Sequence, residues 1–168
     1  MIETKIIPIF PLDLVLFPNQ DLPLRIFEPR YKQMVDDCML GEKEFGICLG
    51  HDNDTLSNWQ APYNIGTIAK IIDCKDVDST SGHLFLNVRG HRKFRIVRLI
   101  SPSLQKTKDY DPFTVHGTRS IEQLHHNDGI EKKMYIQAEI EIISDIDSSI
   151  SLGQWENLVE LWKNNIKK

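Results

Sequence analysis

The sequence has no closely spaced cysteine pair, no long apolar run, no glycine-rich phosphate loop and no strong excess of one charge. Each absence excludes a class of protein. Cys38, Cys48 and Cys74 are odd in number and widely separated, which fits neither a disulfide framework nor a zinc site. They read as partly buried thiols in a reducing compartment, so the expected location is cytoplasmic. No stretch reaches the ~20 apolar residues of a membrane span. The opening MIETKIIPIFPLDL has too short an apolar run and too many prolines for a secretory signal. The Asn53-Asp54-Thr55 sequon then reads as accidental. A net charge of −4 opposes overall attraction to nucleic acid or to an anionic membrane. Motifs for ATP hydrolysis, zinc proteolysis, dinucleotide binding and a serine-hydrolase elbow are all missing. The expectation is a protein with no catalytic residue, no metal and no cofactor.

What is present fits one domain: 168 residues, 40% hydrophobic and 26% charged. A chain of this size buries roughly 70% of its unfolded surface without any staple. Pro8, Pro11, Pro18 and Pro23 punctuate short apolar runs at 5–10, 12–17 and 22–27. Proline cannot donate to a ladder, so these strands belong at sheet edges or bend at a barrel corner. Alternation in LPLRIF puts Leu22, Leu24 and Ile26 on one face, with Pro23, Arg25 and Phe27 on the other. An amphipathic helix is predicted over 29–40, with Pro29 in its first turn and Tyr31, Met34, Val35, Cys38 and Met39 on one face. Gly41 is expected to close it in the left-handed conformation.

From 45 to 100 the signal is β. FGICLG is a short strand, HDNDTLSNWQAPYN a polar loop, GTIAKIIDCKDV a second strand and DSTSG a turn. HLFLNVRG and RKFRIVRLI extend the run, with Gly90 marking a bulge or bend. Residues 101–133 are too long for a simple connection and read as an insert, with capping-box spacing at Ser120–Gln123 for a helical turn near 120–126. KMYIQAEIEII (133–143) alternates, with Met134, Ile136, Ala138, Ile140 and Ile142 on the buried face and Tyr135 among the wet residues. Ser151–Gln154 then offers a capping box for a helix carrying Trp155, Leu158, Val159, Trp162 and Ile166 on one stripe. Two tryptophans there must be covered by this domain or by a second chain, so a dimer through Trp155 and Trp162 stays open. The domain plan is a β domain at 1–147 with its insert at about 101–133, then an amphipathic helix at 148–168.

Weak chemical patterns carry little. Ser103 and Lys106 match Ser-x-x-Lys but follow Pro102 in a polar stretch without a helical apolar face. Asp76-Val77-Asp78 with Gly82 is a poor calcium loop, because Asn87 stands where a bidentate Glu belongs. His125-His126 near Asp128 lacks a second ligand cluster. The basic strand holding Arg89, Arg92, Lys93, Arg95 and Arg98 is the strongest electrostatic feature. Alternation splits its charge between two faces, so a solvated strand paired with acidic neighbours is favoured over a nucleic-acid track.

The ordered set of pieces resembles the N-terminal substrate-binding domain of Lon proteases, especially its stand-alone relatives. Those pieces are Pro8, Phe10-Pro11-Leu12, Phe17-Pro18, Leu22-Pro23-Leu24 and Phe27-Glu28-Pro29-Arg30-Tyr31. Phe45-Gly46, Gly66-Thr67-Ile68-Ala69, Val88 through Ile96 and Tyr135 through Ile140 follow in the same order. The resemblance implies a mainly β fold with α (α+β), a PUA-like pseudo-barrel with one packed helix, followed by a C-terminal helix. It also implies a non-catalytic polypeptide-recognition role, with ATPase and protease work done by separate domains. Two departures stand out: the 101–133 insert, and a single C-terminal helix where the family continues into a helical bundle.

Polypeptide binding is therefore the leading expectation. Phe17, Pro18, Leu24, Phe27 and Tyr31 would form a shallow groove, and Arg25, Glu28 and Arg30 its polar rim. An unfolded or extended segment would enter by strand addition, with a protease or chaperone as a further partner. The competing reading makes Phe17, Phe27 and Tyr31 core residues. The alternative function is nucleic-acid binding by Arg89, Arg92, Lys93 and Arg95, with no membrane role.

Overall fold

The computed structural model describes residues 2–76, 82–115, 117, 132–145 and 151–166. The elements run β1 (Thr4–Leu12), β2 (Asp21–Ile26), α1 (Pro29–Leu40), β3 (Glu44–Leu56), β4 (Trp59–Asp76), β5 (Leu84–Ile100), β6 (Gln137–Ile142) and α2 (Leu152–Ile166). The fold is thus mainly β with helices, an α+β arrangement as expected. The sheet order is β2-β5-β4-β3-β1-β6, and β6 pairs back onto β5, which closes five strands into a ring. The 17-residue length of β5 makes this possible. Its first half pairs with β2 and its second half with β6.

The expected irregularity at Gly90 is present. Thr67 pairs with Lys93 but Ala69 pairs with Gly90, so β5 carries one extra residue there. Glycine is required because a Cβ at this point would collide with the Phe17 carbonyl. Two apolar clusters fill the molecule. Tyr31, Met34, Val35 and Cys38 of α1 pack on Phe10, Phe45, Leu86 and Val88. Ile7, Ile9, Ile68, Phe94, Ile136 and Ile140 form the other.

Several expectations are corrected. Gly41 ends α1 with φ −114°, outside the left-handed region; Lys43 takes the positive φ (58°) and its N–H bonds the Cys38 carbonyl at 2.9 Å. Residues 51–64 are a hairpin rather than a loop. Ser57 (φ 53°) and Asn58 (φ 64°) make a two-residue turn closed by the Leu56–Trp59 pair. The 12–17 run is not a strand, since β1 stops at Leu12. At the other end, β6 begins only at Gln137. Before it the chain leaves the sheet to pack on α1, where the Met134 N–H donates to Gln33 Oε1 (2.7 Å) and the Tyr135 hydroxyl to Asp37 Oδ2 (2.6 Å). Tyr135 is consequently core rather than wet, at 1% exposure. The Ser151 capping box is reciprocal: Ser151 N–H to Gln154 Oε1 at 2.9 Å and Gln154 N–H to Ser151 Oγ at 3.3 Å. The turn expected near 120–126, His125-His126 with Asp128, and most of DSTSG lie outside the described residues.

Candidate functional site

The β1–β2 connection is held tightly. Leu16 is buried in the core, and its carbonyl accepts the Thr67 hydroxyl at 2.6 Å. On its far side the Asn19 N–H donates to Gly90 O, and the Gly90 N–H to Gln20 O, each at 2.8 Å. The Phe17 N–H bonds Gln20 Oε1 at 3.0 Å. With its backbone and one apolar neighbour so fixed, the segment presents its other side chains outward: Val15 is 54% and Phe17 64% exposed. Beside them lie Leu49 and Ile65, also exposed. The four line a shallow apolar groove of about 230 Å³, together with Pro18 and Lys93. The β3–β4 ladder slips between Cys48↔Gly66 and Gly50↔Pro62, so Leu49 and Ile65 sit where the two strands are out of register. Pro18 and Lys93 also line a polar cleft of about 570 Å³ that includes His91, Arg92, Arg95 and Glu141.

The remaining expected groove residues fall elsewhere. Phe17 packs at Gly90, whereas Arg25 pairs across β2–β5 with Phe85, five residues and roughly 17 Å away along the strand. Arg25 donates to His83 Nδ1 at 3.1 Å and lies over the Phe85 ring at 6.0 Å. Phe27 stacks on the exposed Phe113 at 5.2 Å, making a second, aromatic surface. Leu24 and Tyr31 are core. Arg30 is buried, with its guanidinium 4.2 Å from the Tyr31 ring and 3.9 Å from that of Trp59. Its Nε donates to Glu28 Oε2 (2.9 Å), which also accepts the Tyr110 hydroxyl (3.0 Å). Burial, with Glu28 beside it, pushes the Tyr110 phenol well above its ordinary value. Glu28 and Arg30 thus hold the segment that follows β5, through Tyr110, and do not rim the groove.

The same segment is anchored further by Trp59 Nε1 to Leu104 O (2.8 Å) and by the Lys106 N–H to Ser57 O (3.0 Å). Ser103 and Lys106 lie in irregular backbone; the Lys106 ammonium sits 5.8 Å above the Trp59 ring.

On the basic strand, Arg89 meets Asp21 at 2.6 Å, Arg92 meets Glu3 at 2.8 Å, Lys93 meets Asp145 at 2.7 Å and Arg98 meets Glu139 at 3.2 Å. The Arg89 and Arg92 guanidiniums hold the Asp21 and Glu3 carboxyls below the usual carboxylate range. Arg95 makes no ion pair among the described residues.

Residues 6–168 match the family described as the ATP-dependent protease La (LON) substrate-binding domain. The chain belongs to this family. A Lon N-terminal domain protein from Xanthomonas campestris is similar at 27% identity and a TM-score of 0.57, over 89% of this chain and 66% of that one. The N-terminal domain of the Mycobacterium avium complex Lon protease shares the fold at 15% identity and a TM-score of 0.53, over 86% of this chain and 58% of its own. The chain therefore spans somewhat less than two thirds of each. No described helix is long and apolar enough to cross a membrane.

Of the residues that line this apolar groove, sequence reasoning singled out Phe17 and Pro18 but not Val15, Leu49 or Ile65. They come from three separate segments, and only strand register unites them. Trp59, Tyr110 and Phe113 were missed for the same reason. A usable signal did exist in Val15 and Phe17, which flank a buried Leu16 with the alternation of an extended segment.

Proposed function

We propose that the groove at Val15, Phe17, Leu49 and Ile65 grips an extended, apolar stretch of polypeptide, and that the chain performs no chemistry on it. One observation carries this reading: the solvent-facing Val15 and Phe17 stand on a connection whose backbone is immobilised, beside the exposed Leu49 of β3 and Ile65 of β4. A rigid apolar surface binds without first paying to order itself, which is what a weak recognition site needs. Lys93 and the polar cleft beyond Pro18 supply a charged end for the same segment. Family membership supports polypeptide as the ligand class, because the family is described by substrate binding. Ion pairing along β5 weighs against a nucleic-acid track, since three of the four basic residues singled out there already hold carboxylates.

Titration of a fluorescently labelled unfolded casein tests the proposal. Saturable binding is expected, with Phe17→Ala weakening it about 5- to 20-fold, the loss of one apolar anchor. Absence of saturable binding, or affinity indifferent to Phe17→Ala and Ile65→Ser, would reject it. Binding that favours RNA and falls steeply with salt would point instead to Arg92 and Arg95.

A further inference from the structure

Six of the seven large apolar residues of α2 fall on one stripe of the helix, with the exposed Leu161 beside it, and nothing described so far explains this surface. Leu152, Trp155, Leu158, Trp162 and Ile166 are each more than half exposed, and Val159 is half-buried. We propose that this face pairs with its equivalent on a second copy of the chain, as an antiparallel two-helix contact.

The spacing favours self-pairing. Leu152, Val159 and Ile166 repeat every seven residues, and Trp155 and Trp162 repeat three positions later, which is the a and d pattern of a helix–helix seam. The order is also close to palindromic about the middle of the helix, Leu-Trp-Leu-Val-Trp-Ile in either direction of travel by residue class. A surface that reads the same both ways is what a two-fold interface requires.

Charge selects the direction. Glu156 and Lys163 both occupy e positions on the flank of the seam. In an antiparallel pair e faces e, so Glu156 of each copy meets Lys163 of the other, twice by symmetry. A parallel pair would set Lys163 against Leu158 and gain no ion pair.

Area sets the strength. At 54% and 64% exposure, the indoles of both copies bring roughly 500 Å². The aliphatic residues add about as much again, giving roughly 1,000 Å², the lower end for a specific interface. The dimer is accordingly reversible and concentration-dependent.

Sedimentation of the full chain over two decades of concentration tests this. A monomer–dimer equilibrium is expected, lost in Trp162→Ala. Lys163→Glu and Glu156→Lys should each weaken dimerisation at least ~10-fold, and the double variant should restore it to within about threefold. These side chains are exposed, so a urea midpoint equal to that of the wild type, at a concentration where both are monomeric, certifies the fold of each variant. A monomer at every concentration overturns the proposal, as does a dimer insensitive to the single reversals. Binding to phosphatidylcholine–phosphatidylserine vesicles without self-association overturns it equally.

Discussion

Gly90 carries much of the groove's shape, because the Phe17 carbonyl lies where its side chain would be. Gly90→Ala must push the β1–β2 connection outward or bend β5. Overpacking of this kind costs about 1–3 kcal/mol, so the variant should unfold at lower urea and bind labelled casein more weakly. An unchanged midpoint would mean that the connection moves freely. The cysteines give a second residue-level test. Burial pushes the Cys38 thiol up to about 12, with Asp37 adding to the effect, and burial alone does the same for Cys48. Folding therefore favours both protonated thiols. Their contribution is complete below the ordinary value of 9.0 and is lost as pH rises from there to about 12. Iodoacetamide at mildly alkaline pH should spare Cys38 and Cys48 in the folded chain, label the half-buried Cys74 first, and reach all three in urea. Equal labelling of the three without denaturant would contradict the buried placement.

Among the elements, β2 shows how proline governs an edge. The Gly90 N–H to Gln20 O bond sets the phase of the β2–β5 ladder, so Leu22, Leu24 and Ile26 bond inward. The main-chain groups of Asp21, Pro23 and Arg25 then face the open side, and Pro23 has no N–H to offer. Among the described residues β2 pairs with β5 alone, leaving an edge that a proline and two charged side chains guard. Pro23→Val restores the missing donor, and higher oligomers that survive Trp162→Ala should appear on gel filtration. Such elements were legible where a local rule acted alone. The bounds of α1, the inward face of β2, the Gly90 bulge and the Ser151 capping box all follow from spacing over a few residues. The hairpin at 51–64 was hidden because Ser57 and Asn58 make its turn without glycine, between strands with little apolar alternation. Tyr135 was misplaced because alternation cannot reveal that the chain leaves the sheet before β6. The groove was half legible: Phe17 and Pro18 are marked by the sequence, whereas Leu49 and Ile65 meet them only through long-range register. Arg30, expected at a rim, is drawn inward by two aromatic rings and Glu28.

At the scale of the whole molecule, the proposed binding groove and the proposed α2 contact would carry separate jobs, and their combination has a measurable consequence. One groove of about 230 Å³ can bury only a few apolar side chains, so its intrinsic affinity is modest. Two grooves joined through α2 would engage one unfolded chain at two points, and the second contact would then be intramolecular. Linkage of this kind raises apparent affinity by orders of magnitude where the geometry allows both contacts. The protein should therefore bind a long unfolded substrate at least ~10-fold more tightly than Lys163→Glu does, measured at a concentration where the wild type is dimeric. A short peptide with one apolar stretch cannot bridge two grooves, so wild type and Lys163→Glu should bind it equally. Phe17→Ala should weaken both ligands. If Lys163→Glu weakened the short peptide as well, α2 would be part of the binding surface and the two jobs would not be separate. If it weakened neither while abolishing the dimer, the grooves would face directions that one chain cannot span.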